Sequence, residues 1–341
     1  MQANDQTVGE ARQVIRLGII GLGRFSRYHL ICLSQQIDVK LIAVADLNKD
    51  QVNEVVEQWN CKGYLDWNAM LDNESMDAVI VLTPEMYHVE PVLKALSKGC
   101  HVFVEKPLAL EHEEAAKLVQ TAEQANRLLM VGHVGRFDTR LLKMKRAITE
   151  GRLGPLRSIY ARRNNPKKYF SIYRRSNPIY ILGIHDIDLM HWMTGSRVVE
   201  VFARSSSSSD SEHDLIWSML KYANGTIGVI ENNWLMPDNT PAEMDIRMEI
   251  VGDSGTIHFQ EPDRSLEFWV DDAITAPASY SWNEVYGQYY GDLHNEMNHF
   301  YACIRQNKPS SILNPYDALE AVKVAEAIVQ SSKTGLPIQL S

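Results

Sequence analysis

The chain has 341 residues, 45% hydrophobic and 23% charged, with a formal net charge of −9. This is the balance of a globular protein with core enough for two domains, and its negative field excludes a nucleic-acid partner held by overall charge. No apolar run reaches membrane-spanning length, the opening MQANDQTVGEARQ lacks the apolar segment of a secretory signal, and Cys32, Cys61, Cys100 and Cys303 form no CxxC pair, so a cytoplasmic chain with reduced thiols, no zinc site and no membrane partner is expected.

In chain order, residues 1–13 read as a flexible tail. VIRLGIIGLG (14–23) is a short apolar run closing on glycines, as a buried parallel strand does. VKLIAVADLN (39–48) and MDAVIVLTP (76–84) are further strands, the latter stopped by Pro84; HVFVEKP (101–107) and LLMVGHVGRF (128–137) supply a fourth and a fifth. Between them, DQVNEVVEQWN (50–60), HVEPVLKALSKGC (88–100) and LEHEEAAKLVQTAEQANRL (110–128) carry helical spacing. Strands alternating with helices predict a parallel sheet covered on both faces, over 14–132.

From there to residue 341 the texture changes. LRSIYARRN, VVEVFARSS, DLIWSMLKYANGTIGVIENNW, EMDIRMEIVGDSGTIHFQ and SLEFWV alternate, with turn signals at Asn224-Gly225 and Ser254-Gly255. They predict hairpins of a largely antiparallel sheet. SSSSSDSEHD (205–214) reads as a flexible loop between two strands. Two helices, 293–306 and 315–335, close the chain.

GLGRFS (21–26) ends the first strand and opens a helix, and Asp46 follows at the end of the next strand, the spacing of a dinucleotide fingerprint. Gly21 permits the tight turn. Gly23 lets backbone approach a pyrophosphate, whose charge the helix N-terminus stabilises. Ser26, in place of the usual third glycine, is small enough to keep the helix close. Asp46 suits ribose hydroxyls and repels a 2′-phosphate, favouring NAD, while Arg24 and Lys49 leave NADP open. Lys106 emerges at the carboxyl end of a parallel strand, the edge where open α/β sheets bind ligands. Beside a nicotinamide it stabilises a forming alkoxide; the plainer reading is an ion pair with Glu105.

PIYILGIHDIDLMHW (178–192) sets His185 between an apolar approach and Asp186 and Asp188. It reads as a metal ligand, a catalytic acid/base or a core histidine held by a carboxylate. The spacing of His185, Asp186, Asp188 and His191 is not that of an HExxH site, so no metal is expected. RRNNPKKYFSIYRR (162–175) holds six basic residues and no acidic one. It suits a carboxylate or phosphate, or else is a solvated loop or subunit contact. Tyr169, Tyr173, Trp192 and Trp234 are candidates to stack on a sugar ring, or core residues.

GLGRFS with Asp46, TPEMYH (83–88), EKP (105–107), VGHVGRF (131–137), GIHDIDLMHWMTG (183–195), YANGTIG (222–228) and EIVGDSGTIHF (249–259) together resemble the glucose-fructose oxidoreductase/inositol dehydrogenase (Gfo/Idh/MocA) family. The resemblance runs from about residue 14 to the end. It implies an α/β protein: an N-terminal Rossmann domain (14–132) and a C-terminal α+β domain with an open, largely antiparallel sheet (133–341). The implied activity is NAD(P)-dependent oxidation of a secondary alcohol on a cyclitol, a sugar, or a derivative such as a uronate or nucleotide sugar. By motif it implies cofactor contacts from Gly21, Gly23, Arg24, Phe25, Ser26, Asp46, Thr83, Pro84, His88, Glu105 and Lys106. Substrate contacts are implied for Lys106, Arg136 and His185, with Lys106 and His185 catalytic and His185 the general base; Tyr169, from its ring, is expected to join them.

One departure stands out. The family pattern has an aspartate four residues before the histidine, and this chain has Ile181. Residues i−4 and i share a helix face, so the change removes a carboxylate that fixes the ring's tautomer and supports its charged form. Asp188 and Tyr180 are the candidates to orient the ring instead. The alternative is a regulatory protein of the same fold that binds NAD(P) without catalysis. A homodimer or homotetramer through the open sheet face is implied by analogy.

Overall fold

A computed structural model describes residues 14–173, 175–207, 214–262, 266–270, 273–276 and 283–341. The expected tail at 1–13 and residues 208–213 of the serine-rich loop lie outside the described residues.

The first half builds one parallel sheet from β1 (Ile15–Ile20), β2 (Val39–Ala45), β3 (Lys62–Tyr64), β4 (Ala78–Val81), β5 (His101–Val104) and β6 (Leu129–Val131). Their order is β3-β2-β1-β4-β5-β6, so the strand order reverses between β1 and β4, where doubly wound sheets bind ligands. β4 and β6 are buried along their whole length, which is why they read as unbroken apolar runs. β3 was not foreseen: Lys62-Gly63-Tyr64 is a short, exposed edge with no apolar pattern. Helices α1 (Ser26–Ser34), α2 (Lys49–Trp59), α3 (Trp67–Asn73), α4 (Val89–Ser97) and α5 (His112–Gln124) cover the sheet. In α5, Ala115, Leu118, Val119 and Ala122 fall at helical spacing and pack on Val102 and Val104.

After α6 (Thr139–Thr149), β7 (Leu156–Pro166) begins the second sheet. Next come the short α7 (Phe170–Tyr173), a π-turn over Ile179–Gly183 and α8 (Ile184–Thr194). Strands β8 (Val198–Ser206), β9 (Leu215–Tyr222), β10 (Ile227–Met236), β11 (Asp245–Gly252) and β12 (Gly255–Glu261) follow. The order is β12-β11-β7-β10-β9-β8, with a terminal β17 (Ile338–Gln339) beyond β8 and only β7–β10 parallel. The hairpins turn at the anticipated Asn224-Gly225 and at Asp253-Ser254. One face packs on α6, α8 and α10 (Pro315–Thr334). The other leaves Trp217 and Met219 of β9 exposed, as the strand's alternation requires.

The SLEFWV run does not join this sheet. Phe268–Val270 forms β13, paired with β14 (Ala273–Thr275), and a similar ribbon joins β15 (Asn283–Val285) to β16 (Gln288–Tyr290). All three residues of β13 are exposed, so the strand has no buried face. Helix α9 (Asp292–Gln306) returns to the first sheet: Leu293, Met297 and Phe300 pack with Ile19, Ile80 and Phe103. Spatial division therefore departs from chain division at this helix. Among the described residues, no helix is long and apolar enough to cross a membrane.

Candidate active site

The carboxyl ends of the first sheet's strands open into a cavity of about 1050 Å³, closed on its far side by β7, the π-turn, α8 and the ends of β10–β12. That is at the upper end of the roughly 300–1,000 Å³ usual for a single ligand, and leaves room for two.

At one end stands the turn after β1. Gly21 has φ +94°, and a Cβ there would lie 2.7–2.8 Å from the backbone of Leu82 and Thr83, so only glycine fits. A Cβ on Gly23 would meet nothing within 4 Å; the space above the turn is open. Ser26 is buried and donates to the Gly23 carbonyl at 2.7 Å. Among the described residues no side chain caps α1, so its N-terminal dipole faces the turn uncapped, with Ser26 N and Tyr28 N bonded back to Gly23 O and Phe25 O. Asp46 lines the cavity and accepts from Leu22 N at 2.6 Å and Asn48 N at 2.8 Å, and its two oxygens have further lone pairs to accept with. These features fit the pyrophosphate and ribose of NAD. Arg24 turns the other way: it donates to the Tyr173 hydroxyl at 3.3 Å and lies 5.4 Å from the Tyr169 ring centroid.

Thr83 and Pro84 also line the cavity, and Phe25 does so with its ring against Tyr28 and His29. His88 is 1% exposed, with Nδ1 2.7 Å from Pro107 O and Nε2 2.9 Å from Thr83 O. Both ring nitrogens thus face backbone carbonyls, and the neutral ring donates to one of them. The histidine ties the loops after β4 and β5 together, and it presents no polar atom to a cofactor.

Glu105 Oε1 lies 3.2 Å from His29 Nε2, and Oε2 accepts from Lys106 N at 3.2 Å. Gly132 makes room for this carboxylate; a Cβ there would approach Oε1 to 3.1 Å. Lys106 does not settle into a side-chain ion pair with Glu105. Its Nζ crosses to the second lobe and donates to the Ile181 carbonyl at 3.0 Å. Burial lowers its pKa, Glu105 opposes that, and Arg163 adds to it.

His185 lines the same cavity, and no described residue hydrogen-bonds its ring. Its pKa is pushed well below the usual histidine range, first by burial and then by the charges of Lys106 and Arg163. It is therefore neutral at physiological pH. Neither expected orienting group reaches it. Asp188 is committed to Arg136, and Tyr180 packs in the core toward the side of Glu111 and Glu326. Ile181, on the π-turn one turn before His185, lines the same cavity but offers the ring only an apolar side chain. What position 181 supplies is its carbonyl.

Arg136 requires a correction. It is 2% exposed and does not line the cavity. Nε and Nη2 bind Asp188 at 2.9 and 2.6 Å, and Nη1 binds Asp317 Oδ2 at 2.7 Å and Ile312 O at 2.8 Å. Every nitrogen is occupied, so it holds α8 and α10 rather than a substrate. Trp192 likewise packs beside Arg136 and Lys145, away from the cavity. Tyr169 does line the cavity, as do Tyr173 and Trp234, stacked with centroids 5.5 Å apart.

Three of the six basic residues in the run are paired with carboxylates. Arg162 pairs with Asp245 at 2.6 Å, Arg163 with Asp186 at 3.1 Å and Arg175 with Glu85 at 2.7 Å; residue 174 lies outside the described residues. Asn165 and Glu243 line the cavity without having been singled out; no spacing in a lone sequence marks them. Among the described residues, no group of three or more His, Cys, Asp or Glu side chains is placed to hold a metal.

Two family models match. Residues 15–133 match the NAD-binding Rossmann domain of the Gfo/Idh/MocA oxidoreductases, and residues 141–258 match a Gfo/Idh/MocA C-terminal domain. Myo-inositol 2-dehydrogenase of Thermotoga maritima is 30% identical over 252 residues, 71% of this chain and 74% of its own. The NAD(+)-dependent scyllo-inositol 2-dehydrogenase of Bacillus subtilis is 26% identical, with 96% of each chain covered. The structure of Lactobacillus casei scyllo-inositol dehydrogenase with NAD(H) and scyllo-inositol superposes with a TM-score of 0.83, at 21% identity, covering 96% of this chain and 99% of that one.

Proposed function

Because this chain belongs to the Gfo/Idh/MocA family and is an NAD-dependent oxidoreductase acting on CH–OH groups, we propose that it oxidises a secondary alcohol of a neutral cyclitol or sugar, with Lys106 and His185 as the catalytic pair. The observation that carries this reading is the meeting of Lys106 and His185 in one cavity with the dinucleotide turn. Bound NAD supplies the hydride acceptor. Lys106, as an ammonium held by the Ile181 carbonyl, steadies the substrate oxygen as charge develops on it. His185, neutral and with no protein partner on its ring, takes the hydroxyl proton. Lys106 and Arg163 disfavour the resulting imidazolium, so the proton passes on to water in the open cavity.

Neutral substrates are favoured over uronates and nucleotide sugars because the two arginines of the basic run that line the cavity, Arg163 and Arg175, are paired with Asp186 and Glu85. Tyr169, Tyr173 and Trp234 offer apolar ring surface, and Asn165 offers hydrogen bonds, which suit a polyol. The exposed face of the second sheet, with Trp217, Met219 and Ile227, supports a homodimer or homotetramer, to be read by light scattering. The functional test is NADH formation across inositols, neutral sugars, uronates and nucleotide sugars. Inositols or neutral sugars should give the highest kcat/KM. A uronate or nucleotide sugar at the top would overturn the neutral assignment, and silence throughout, with NAD still bound, would favour a regulatory protein.

A further inference from the structure

Below the floor of the cavity lies a set of buried polar groups that the proposed reaction does not use. Glu296 of α9 is fully buried, and neither carboxyl oxygen has a partner. Among the described residues, His133, 3% exposed, has no hydrogen-bond partner on either ring nitrogen, its Nδ1 lying 3.8 Å from Asp188 Oδ2, and His29, 1% exposed, has none on Nδ1. Buried polar atoms are seldom left unpaired, and several together mark trapped water or a proton not yet assigned.

The elements that carry these residues pack on one another. Phe103 of β5 packs its ring edge-on against both His29 and Phe300, each with centroids 5.6 Å apart, so α1 and α9 meet over β5. Glu296 is one helical turn before Phe300, on the same face. It feels the charges of Glu105, Asp292 and Asp188 and in turn acts on Cys32 of α1, one turn from His29. His133 feels Asp188, Arg136, Lys106 and Glu105. The charges acting on Glu296 are thus carboxylates, and burial beside them holds it in the neutral acid form.

A neutral imidazole has one donor and one acceptor. His29 Nε2 faces the Glu105 carboxylate and must carry the hydrogen, which leaves Nδ1 as a buried acceptor in need of a donor. A carboxylic acid has one hydrogen to give and an oxygen left to accept. We propose that Glu296 is a positioning residue for Lys106: as a neutral acid it donates through a trapped water to Nδ1 of His29, locks the tautomer that donates from Nε2 to Glu105, and accepts from His133. Glu105, so held, stays beside Lys106, where it opposes the effect of burial on the ammonium. The role assigned to Lys106 rests on the dehydrogenase reading above; the arrangement of Glu296, His29 and Glu105 does not.

The test uses the full chain labelled with nitrogen-15 histidine, without substrate or cofactor, and reads the His29 tautomer by NMR. Wild type and Glu296→Gln, whose amide still donates, should show hydrogen on Nε2; Glu296→Leu should lose that preference. An infrared spectrum at neutral pH should contain a protonated-carboxyl component in wild type, beyond the one Asp292 contributes to both proteins, that Glu296→Gln lacks, a measurement that stands even if Glu296→Leu does not fold. With substrate, Glu296→Gln should keep kcat within about twofold, while Glu296→Leu should lose about tenfold in kcat with KM for NAD unchanged. Nε2–H retained in a folded Glu296→Leu, or the same carboxyl band in wild type and Glu296→Gln, would overturn the proposal. A wild-type chain that oxidises no polyol refutes the role of Lys106 and leaves the spectra to judge the rest.

Discussion

Replacing Lys106 with methionine keeps an unbranched side chain of similar length and removes the ammonium. Three consequences follow from its surroundings. The alkoxide loses its stabilising charge; removing one such donor costs about 2.7–4 kcal/mol, a fall of about 10²–10³ in kcat. Stability changes little, because the Ile181 carbonyl loses a hydrogen bond worth about 1 kcal/mol while the cost of burying an ammonium disappears. His185 loses the foremost of the charges that hold its pKa down. In wild type, kcat/KM should rise with pH through a limb well below the ordinary 6.5 of histidine and fall through one below the ordinary 10.5 of lysine. In Lys106→Met the imidazolium is repelled by Arg163 but no longer by Lys106, so the acid limb of the residual activity moves to higher pH and the alkaline limb vanishes. The assay is NADH absorbance against pH, with NAD affinity by calorimetry as the control. Activity within tenfold of wild type, or an acid limb moved to lower pH, would falsify the assignment of both residues.

Ile181→Asp introduces a carboxylate into the packing of Leu182 and Trp234. It should cost about 1.5–3 kcal/mol of burial, read by thermal melting, and move the acid limb of kcat/KM to higher pH; an unmoved limb would mean that the side chain at 181 does not act on His185. Arg136→Met leaves Asp188, 2% exposed, without its partner, an expected loss of about 3–5 kcal/mol in urea denaturation with the polyol KM unchanged. A large KM increase at unchanged stability would return Arg136 to the substrate. Asp292, pushed up to about 7 by burial, keeps in the folded chain a proton that the unfolded chain releases near 3.8. Its contribution to stability therefore falls as pH rises from about 4 to 7, and Asp292→Asn should be more stable relative to wild type at pH 8 than at pH 5, as denaturant midpoints would reveal; equal differences at both pH values would refute this.

By itself the sequence determined the alternation that builds the parallel sheet, the glycine turn with Asp46, the lysine at the end of β5 and the candidacy of His185. Each is written locally: which face of a strand or helix is apolar, where only glycine can turn, and which residue leaves a strand at its carboxyl end are matters of a few neighbouring positions. Partnership of charges is not local, and there the tertiary structure decided. Arg136 looks like a substrate cation until Asp188 and Asp317, 52 and 181 residues away, occupy its guanidinium. The basic run looks like an anion site until Glu85, 90 residues earlier, takes Arg175 and the carboxylates of β11 and α8 take Arg162 and Arg163. Position 181 looks like a lost function until a π-turn delivers its carbonyl to Lys106. A backbone carbonyl exists at every position whatever the side chain, so sequence cannot mark the one that will be used, and only the fold brings it within reach of the charge it serves.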